Sequence, residues 1–303
     1  MNHSHYSPLR YPGGKQSLAP FFSELIELND MEGGSYIEPF AGGAGAALNL
    51  LMNEKVYKIV LNDIDHHLYC FWKSILREPD AFIHAIESTP INIDEYYRQK
   101  EIIKSDVKQY SVLEKGFAAF YMNRCNRSGI LRAGPIGGRE QKGEWKVDAR
   151  FNKKDLIERI ELIADYEERI EIFNLDAVIF LEKYLTHLPL KTEKVLVYLD
   201  PPYYKKGNDL YRHAFKKDDH INFANYFRKL ENFRWLISYD DSDFIRNLFA
   251  SSNQSFLKFN YFANKAKVGR ELMIFSDDCL LPERYKITES EQMKEGIPVI
   301  SSR

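Results

Sequence analysis

The sequence has few cysteines and no long apolar run. Its 303 residues contain three cysteines, Cys70, Cys125 and Cys279, and none of them forms a CxxC pair. Isolated cysteines argue against a disulfide framework and a zinc site, and they are typical of a reducing cytoplasm. No apolar stretch approaches the roughly 20 residues of a membrane helix. The opening residues, MNHSHY, have no apolar core, so we expect a cytoplasmic protein without a secretion signal.

A lysine-bearing phosphate loop of the GxxxxGK[ST] type is also missing, which leaves ATP hydrolysis without support. Hydrophobic residues make up 44% and charged residues 28% of the chain, which is ordinary for a soluble protein with a sizeable core. The length allows one large α/β domain, or a catalytic domain that carries a smaller insertion.

The net charge of −2 conceals an uneven distribution. Residues 98–154 contain fourteen Lys and Arg against six Asp and Glu, an excess of eight positive charges, so the rest of the chain is acidic. A basic block within an acidic protein indicates a surface for phosphates. A solvated basic face without a polyanion partner is the alternative that the count leaves open.

The hydrophobic pattern alternates strands and helices at both ends of the chain. Strands are predicted at residues 35–38, 58–61, 171–173, 195–199, 235–238, 256–259 and 272–275. A strand, a glycine turn, a helix and a second strand form a βαβ unit, which implies a parallel sheet. The segment 67–150 has a mostly helical pattern and is rich in aromatic and basic residues. We therefore predict an α/β domain from residues 1–66 and 151–303, interrupted by a mainly helical insertion at 67–150.

The strongest local motif is Asp200-Pro201-Pro202-Tyr203, directly after the apolar strand 195–199. Ligands of open α/β sheets bind beyond the carboxyl ends of strands. The two prolines fix the backbone and remove two N–H donors, so an acceptor-rich socket with an aromatic ring results. Such a socket suits a flat base with an exocyclic amine. A proline-rich turn with an incidental Asp and Tyr is the structural alternative.

A second motif, Phe40-Ala41-Gly42-Gly43-Ala44-Gly45, connects the first strand to its helix. Small residues let the backbone approach a ligand closely, although such turns also serve packing alone. Asp63 ends the second strand about twenty residues later, where an acid commonly binds ribose hydroxyls. Capping the helix that begins near His66 is its alternative role.

Together these motifs resemble those of the Dam-type family of N6-adenine DNA methyltransferases. The matching segments occur in the family's order and span most of the chain: Tyr11-Pro12-Gly13-Gly14-Lys15, Glu38 to Gly43, Asn62-Asp63-Ile64, Asp200 to Tyr203, and Gly269 to Ile274. The resemblance implies a Rossmann-like methyltransferase sheet that carries a target-recognition insertion.

The resemblance also implies the chemistry, which is transfer of a methyl group from S-adenosylmethionine to adenine N6 in DNA without a metal. The target base would be flipped out of the duplex. The catalytic residues would be Asp200, Pro201, Pro202 and Tyr203. The residues contacting or shaping the cofactor site would be Tyr11, Lys15, Phe40, Gly42, Asp63, Asp176 and Asp200.

The segment from Phe120 to Arg132 is similar to the family's recognition hairpin. It implies DNA contacts by Asn123, Arg124, Asn126, Arg127, Ser128 and Arg132, residue types that address base edges and phosphates. Arg127 and Ser128 stand where members that read GATC carry Tyr and Asn, so GATC is not predicted as the target.

The socket itself suits any planar exocyclic amine, so an RNA adenine or cytosine-N4 methyltransferase remains an alternative. A non-catalytic DNA-binding homologue is a rival of another class, against which the intact Lys15, Asp200 and Tyr203 argue. Double-stranded DNA and S-adenosylmethionine are the implied partners. A cognate restriction endonuclease, the target sequence and the oligomeric state are left open.

Overall fold

The computed structural model describes residues 5–10, 15–105, 109–188, 194–205, 215–230, 233–263 and 265–294, and for 259–263, 265–269 and 289 the backbone alone. The strands are β1 (Ser35–Glu38), β2 (Lys58–Asn62), β3 (Ile170–Phe173), β4 (Val195–Leu199), β5 (Arg234–Tyr239), β6 (Asn253–Ala263) and β7 (Lys265–Phe275). Each strand predicted from the sequence is confirmed. The hairpin strands β6 and β7 are longer than predicted, because backbone pairing continues beyond the apolar residues that gave the signal.

Helices fill the intervals between the strands. The α-helices are α1 (Ala19–Leu28), α2 (Gly45–Met52), α3 (His66–Arg77), α4 (Pro79–Ser88), α5 (Ile93–Lys104), α6 (Val112–Cys125), α7 (Lys153–Ala164), α8 (Ala177–Leu185), α9 (Lys217–Phe227), α10 (Asp243–Leu248) and α11 (Glu289–Lys294). Short 3₁₀ turns occur at Lys15–Leu18, Arg127–Gly129, Glu167–Arg169 and Glu283–Tyr285. No helix in the described parts of the chain is long and apolar enough to cross a membrane.

The strands form one sheet in the order β3-β2-β1-β4-β5-β7-β6. β4 is parallel to β1 and to β5, whereas β7 runs antiparallel to β5 and β6. The order starting 3-2-1-4-5 is that of a Rossmann-like sheet, here completed by an antiparallel hairpin, and the predicted fold class is confirmed. β4 is buried at all five positions, as expected of a strand covered on both faces.

The chain divides into two compact units. The first comprises residues 1–14, 41–45 and 61–175, and the second comprises 15–40, 46–60 and 176–303. The predicted insertion, 67–150, lies wholly within the first unit. That unit also takes in β3 and α7, because both pack on α3. The functional division at residues 67 and 150 stays a prediction.

The core of the first unit is aromatic. Phe71 on α3 stacks on Phe120 of α6 with ring centroids 5.8 Å apart. Gly116 permits this packing, because a Cβ there would lie 2.6 Å from the Cys70 carbonyl oxygen. Just after residues 67–150, Asn152 caps α7 by accepting a hydrogen bond from the Asp155 backbone N–H, as expected of asparagine before a helix.

In the second unit, α1 packs on the centre of the sheet. Phe22 contacts Tyr36 of β1 and Tyr198 of β4 edge-on, with centroid distances of 5.7 and 4.6 Å. These contacts fix the 3₁₀ turn that precedes α1, and Lys15 is the first residue of that turn. The packing of α1 therefore determines where Lys15 is placed.

Candidate active site

Lys15 is buried among acidic and phenolic groups of the second unit, with an exposed fraction of 6%. Its Nζ lies 2.9 and 3.2 Å from the two carboxylate oxygens of Glu271 and 3.2 Å from Oδ1 of Asp200. It also donates to the Tyr203 hydroxyl at 2.7 Å. An ammonium has three donors, and each has a partner here. Lys15 is therefore a paired, buried lysine and not a solvated one.

Asp200 leaves the sheet directly after β4 and is held from its neighbouring strand. The Ser238 hydroxyl on β5 donates to Oδ1 of Asp200 at 2.9 Å. The Tyr198 hydroxyl lies 2.8 Å from Ser238 and serves as donor, because the serine proton is already committed. We call Lys15, Asp200, Tyr203, Ser238 and Glu271 the Asp200 cluster.

The charges of the Asp200 cluster do not balance, since two carboxylates share one ammonium. Burial raises the pKa of Asp200 to about 6, with Lys15 lowering it and Glu271 raising it again. Burial lowers the pKa of Lys15, but Asp200 and Glu271 more than offset this and raise it well above the ordinary value. Lys15 therefore stays protonated, and the ionised cluster carries one excess negative charge.

The turn after Asp200 is anchored at both ends. Pro201 and Pro202 are buried. The backbone N–H groups of Tyr204 and Lys205 donate to the two carboxylate oxygens of Asp240, each at 2.9 Å. With two prolines on one side and this double hydrogen bond on the other, the tetrapeptide is held in one conformation.

Phe40 follows β1 just as Asp200 follows β4. Because these strands are parallel and adjacent, both residues leave the sheet at the same edge. The Phe40 ring packs edge-on against Phe215 and Phe223, with centroid distances of 5.8 and 6.0 Å. The second unit thus places an aromatic wall and the Asp200 cluster at one sheet edge.

The glycine turn of the first unit is built around Asp63. One carboxylate oxygen of Asp63 accepts from the Gly42 backbone N–H and the other from that of Asp65, each at 2.9 Å. Trp72 donates to the Gly42 carbonyl at 3.0 Å, and Ser7 donates to the Gly43 carbonyl at 2.5 Å. We call Ser7, Gly42, Gly43, Asp63, Asp65 and Trp72 the glycine-turn cluster. The alternative role of Asp63 as a helix cap is wrong, because Asp65 caps α3.

Asp63 is a strongly perturbed acid. Burial raises its pKa to about 7, although the backbone N–H groups of Asp65 and Gly42 lower it. A carboxyl group that is half-protonated near neutral pH is sensitive to any further donor that approaches it.

Among the predicted cofactor residues, Asp176 lies at the start of α8. Asp176 caps α8, accepting from the backbone N–H groups of Val178 and Ile179, and its side chain is exposed. Its proposed contact with the cofactor's adenine stays a prediction. Tyr11 lies outside the described residues.

The predicted DNA-contacting residues divide into an inner and an outer set. The inner set is buried or engaged: Asn123 bonds to the backbone N–H and carbonyl of Arg10, and Asn126 accepts from the Tyr96 hydroxyl at 2.8 Å. Arg124 donates to the carbonyls of Pro8 and Arg150. These three hold the backbone of the segment, so direct DNA contacts by them are not supported.

The outer set consists of Arg127, Ser128 and Arg132, which are exposed. Ser128 has a left-handed backbone with φ of +56°, which turns the chain sharply here. Gly129 follows with φ of +75°, and a Cβ there would lie 2.0 Å from the Arg10 carbonyl oxygen. The tight turn thus presents three hydrogen-bonding side chains to solvent.

Sequence reasoning missed Glu271, Ser238 and Asp65 as site residues. Glu271 carried a signal, since it is a carboxylate within the otherwise apolar segment 271–275. Ser238 and Asp65 are common residues in ordinary positions and gave none. As for metals, the part of the chain that the structure describes holds no group of three His, Cys, Asp or Glu suited to an ion.

Comparison with known proteins agrees with this geometry. The model of the D12 class N6 adenine-specific DNA methyltransferase family matches residues 11–267. The type II methyltransferase M.MjaIII of Methanocaldococcus jannaschii is 23% identical over 242 residues, covering 74% of this chain and 79% of that protein. The type II methyltransferase M.CviBI of Paramecium bursaria Chlorella virus NC1A is 24% identical over 269 residues, covering 87% and 95%. A DNA adenine methylase of Vibrio cholerae is 25% identical over 278 residues, covering 86% and 91%.

The family match spans both units and includes the Asp200 tetrapeptide, the glycine turn and residues 120–132. The chain therefore belongs to the D12 class of N6 adenine-specific DNA methyltransferases, enzymes that transfer a methyl group to N6 of adenine in DNA.

Proposed function

We propose that the chain methylates N6 of an adenine flipped out of double-stranded DNA, with S-adenosylmethionine as donor and the Asp200 cluster as the reacting site. The observation that carries this proposal is the buried Lys15, which bonds to both Asp200 and Tyr203. A buried lysine is costly unless it is paired, and here it fixes the two residues that the chemistry requires.

The residues present suit the proposed cofactor. S-adenosylmethionine supplies a methyl group activated by a sulfonium cation, and the excess negative charge of the Asp200 cluster favours a cation. Asp63 offers carboxylate oxygens to ribose hydroxyls in the glycine-turn cluster. The apolar Phe40, packed on Phe215 and Phe223, suits a flat purine.

In the proposed reaction Asp200 acts on the target amine. Its carboxylate accepts one amino hydrogen and the Pro201 carbonyl accepts the other, so the nitrogen lone pair is drawn out of conjugation with the ring. The new bond joins N6 to the methyl carbon as the carbon–sulfur bond breaks, and the sulfur keeps the electron pair. N6 then carries a positive charge and releases a proton, which Asp200 takes up. Holding the reactants in line accounts for most of the rate, up to about 7–11 kcal/mol in model systems.

Extruding the adenine costs a few kcal/mol, and Tyr203 offsets part of this by stacking on the base. Lys15 keeps Tyr203 in place through its hydroxyl. Because all three Lys15 donors already have partners, we assign Lys15 to orienting Asp200 and Tyr203. This replaces its predicted direct contact with the cofactor within the proposal.

DNA is read, in this proposal, by the exposed turn that carries Arg127, Ser128 and Arg132. Arginine can bond two acceptors of guanine in the major groove or a backbone phosphate. The buried Asn123 and Asn126 support that turn from within. The turn therefore selects the site, and the Asp200 cluster performs the transfer.

The test is Asp200→Asn, which keeps the shape and removes the charge. We expect turnover to fall by about 10²–10³-fold, while affinity for DNA changes little. Asp243→Asn is the matched control, because Asp243 is an exposed carboxylate paired with Arg246. Nucleoside analysis of the treated DNA identifies the modified base, and N4-methylcytosine or modification of RNA alone would contradict the proposal. So would an Asp200→Asn enzyme with wild-type turnover.

A further inference from the structure

Glu271 lies at the reacting site, on the strand β7 that pairs with β5. β7 pairs with β5 so that Leu272 is opposite Tyr239, the last residue of β5. Because β7 is antiparallel, Glu271 stands one residue beyond that end, at the edge where Asp200 leaves β4. The hairpin that completes the sheet thus delivers a carboxylate to the Asp200 cluster.

The Glu271 carboxylate contacts the Lys15 ammonium with both oxygens, at 2.9 and 3.2 Å, whereas Asp200 contacts it with Oδ1 at 3.2 Å. Its side chain is 9% exposed, so solvent screens the pair weakly. Without Glu271, Lys15 and Asp200 would form an ordinary one-to-one ion pair. Asp200 would then be bound more tightly by Lys15 and would be a poorer acceptor for an amino proton.

We propose that Glu271 is a positioning residue for methyl transfer: it holds Lys15 so that Asp200 is oriented by the ammonium but is not neutralised by it. This inference rests on the proposed function of Asp200. Glu271 shares the Lys15 charge with Asp200, so Asp200 keeps the basicity to accept a proton from N6. Glu271 itself touches no reacting atom.

The other titratable groups around Asp200 do not change this balance. Those that face Asp200 are Lys15, Glu271 and the phenols of Tyr36, Tyr198, Tyr203 and Tyr239. Burial raises the pKa of all four phenols well above the ordinary value, so they remain neutral. Among the described residues, the charges that act on Asp200 in the neutral range are those of Lys15 and Glu271.

The experiment compares Glu271→Gln with the wild type in the pH dependence of kcat, using unmethylated genomic DNA and saturating S-adenosylmethionine. Removing the negative charge should lower kcat by about tenfold and move the acidic limb of the profile to lower pH by about one unit. Lys15→Met should move the same limb to higher pH. Affinity for S-adenosylhomocysteine, measured by calorimetry, should stay within about threefold of wild type for Glu271→Gln.

If Glu271 is a positioning residue, the acidic limb moves in opposite directions in Glu271→Gln and Lys15→Met. A merely structural role would instead lower kcat equally at every pH. Glu271→Gln leaves a neutral Lys15–Asp200 pair and no unpaired charge, so we expect it to fold. Glu271→Asp is the second variant and should move the limb in the same direction by less. Glu291→Gln, in an exposed pair with Lys258, is the control and should match wild type.

The experiment distinguishes failure of the proposed function from failure of this inference. A wild-type protein that methylates no adenine refutes the proposed function and, with it, this inference. An active wild type whose kcat and acidic limb are unchanged in Glu271→Gln refutes the inference alone.

Discussion

Asp63 should make cofactor binding depend on pH in a defined direction. Burial raises the pKa of Asp63 to about 7, so at pH 6 only about a tenth of the molecules have the ionised carboxylate, against about nine tenths at pH 8. Ribose hydroxyls donate hydrogen bonds and therefore favour the ionised form. Affinity should rise about tenfold from pH 6 to pH 8, equivalent to about 1.4 kcal/mol.

The stability of the unliganded protein should change in the opposite sense. A carboxyl group whose pKa is higher in the folded chain stabilises it below the unfolded value, near 4, and this contribution is lost as pH rises through 7. With the pKa raised from 3.8 to about 7, the loss is at most about 4 kcal/mol. Ligand binding should therefore raise the melting temperature more at pH 8 than at pH 6.

The assay is calorimetry at pH 6, 7 and 8 with 5′-deoxy-5′-methylthioadenosine. This probe keeps the ribose hydroxyls and lacks the amino-acid group, whose own titration would confuse the profile. Its 2′,3′-dideoxy analogue is the control and should bind with little dependence on pH. Equal affinity of the hydroxyl-bearing probe at pH 6 and pH 8 would refute the assignment of Asp63 to the ribose.

Two further predictions concern the recognition turn. Gly129→Ala should destabilise the protein by at least about 2 kcal/mol, since it adds a clash to a left-handed backbone. Gly138→Ala should cost about 1 kcal/mol, because Gly138 has a φ of +77° but open space around it. Thermal melting of the two variants compares these losses of stability. Arg127→Ala and Arg132→Ala should each reduce the slope of log affinity against log salt by about one if they contact phosphate, or relax the target preference if they contact a base. Lys286→Ala, which removes an ion pair with Glu283 outside residues 98–154, should do neither, and unchanged slope and preference in both arginine variants would place DNA reading elsewhere.

The sheet was predictable where apolar residues are contiguous. Val195–Leu199 was assigned with its observed ends, because five buried apolar residues between polar neighbours are a strong signal. The extent of β6 and β7 was not predictable, since main-chain pairing in a hairpin continues into residues with no apolar alternation. Helix caps such as Asn152 were predictable because a short polar side chain acts within three residues of its own position.

The sequence pointed to Lys15, Asp200 and Tyr203, but the hydrogen bonds that connect them were not predictable. Asp200 was identified by its place after a strand, whereas its partner Ser238 comes from another strand and has no local signature. Asn123 and Asn126 were assigned to DNA by resemblance, and the structure buries both. The reason is that α6 is buried on nearly all its faces, so an amide near its end bonds to backbone instead of solvent.

The hydrogen bond between Lys15 and Glu271 joins positions 256 residues apart. During synthesis the Lys15 ammonium lacks its second carboxylate until β7 has been made, because Glu271 belongs to that strand. A nascent chain that already includes β4 and the Asp200 tetrapeptide would still lack the ion pair between Lys15 and Glu271. A chain that ends before β7 should therefore lack this ion pair and should be inactive in methyl transfer.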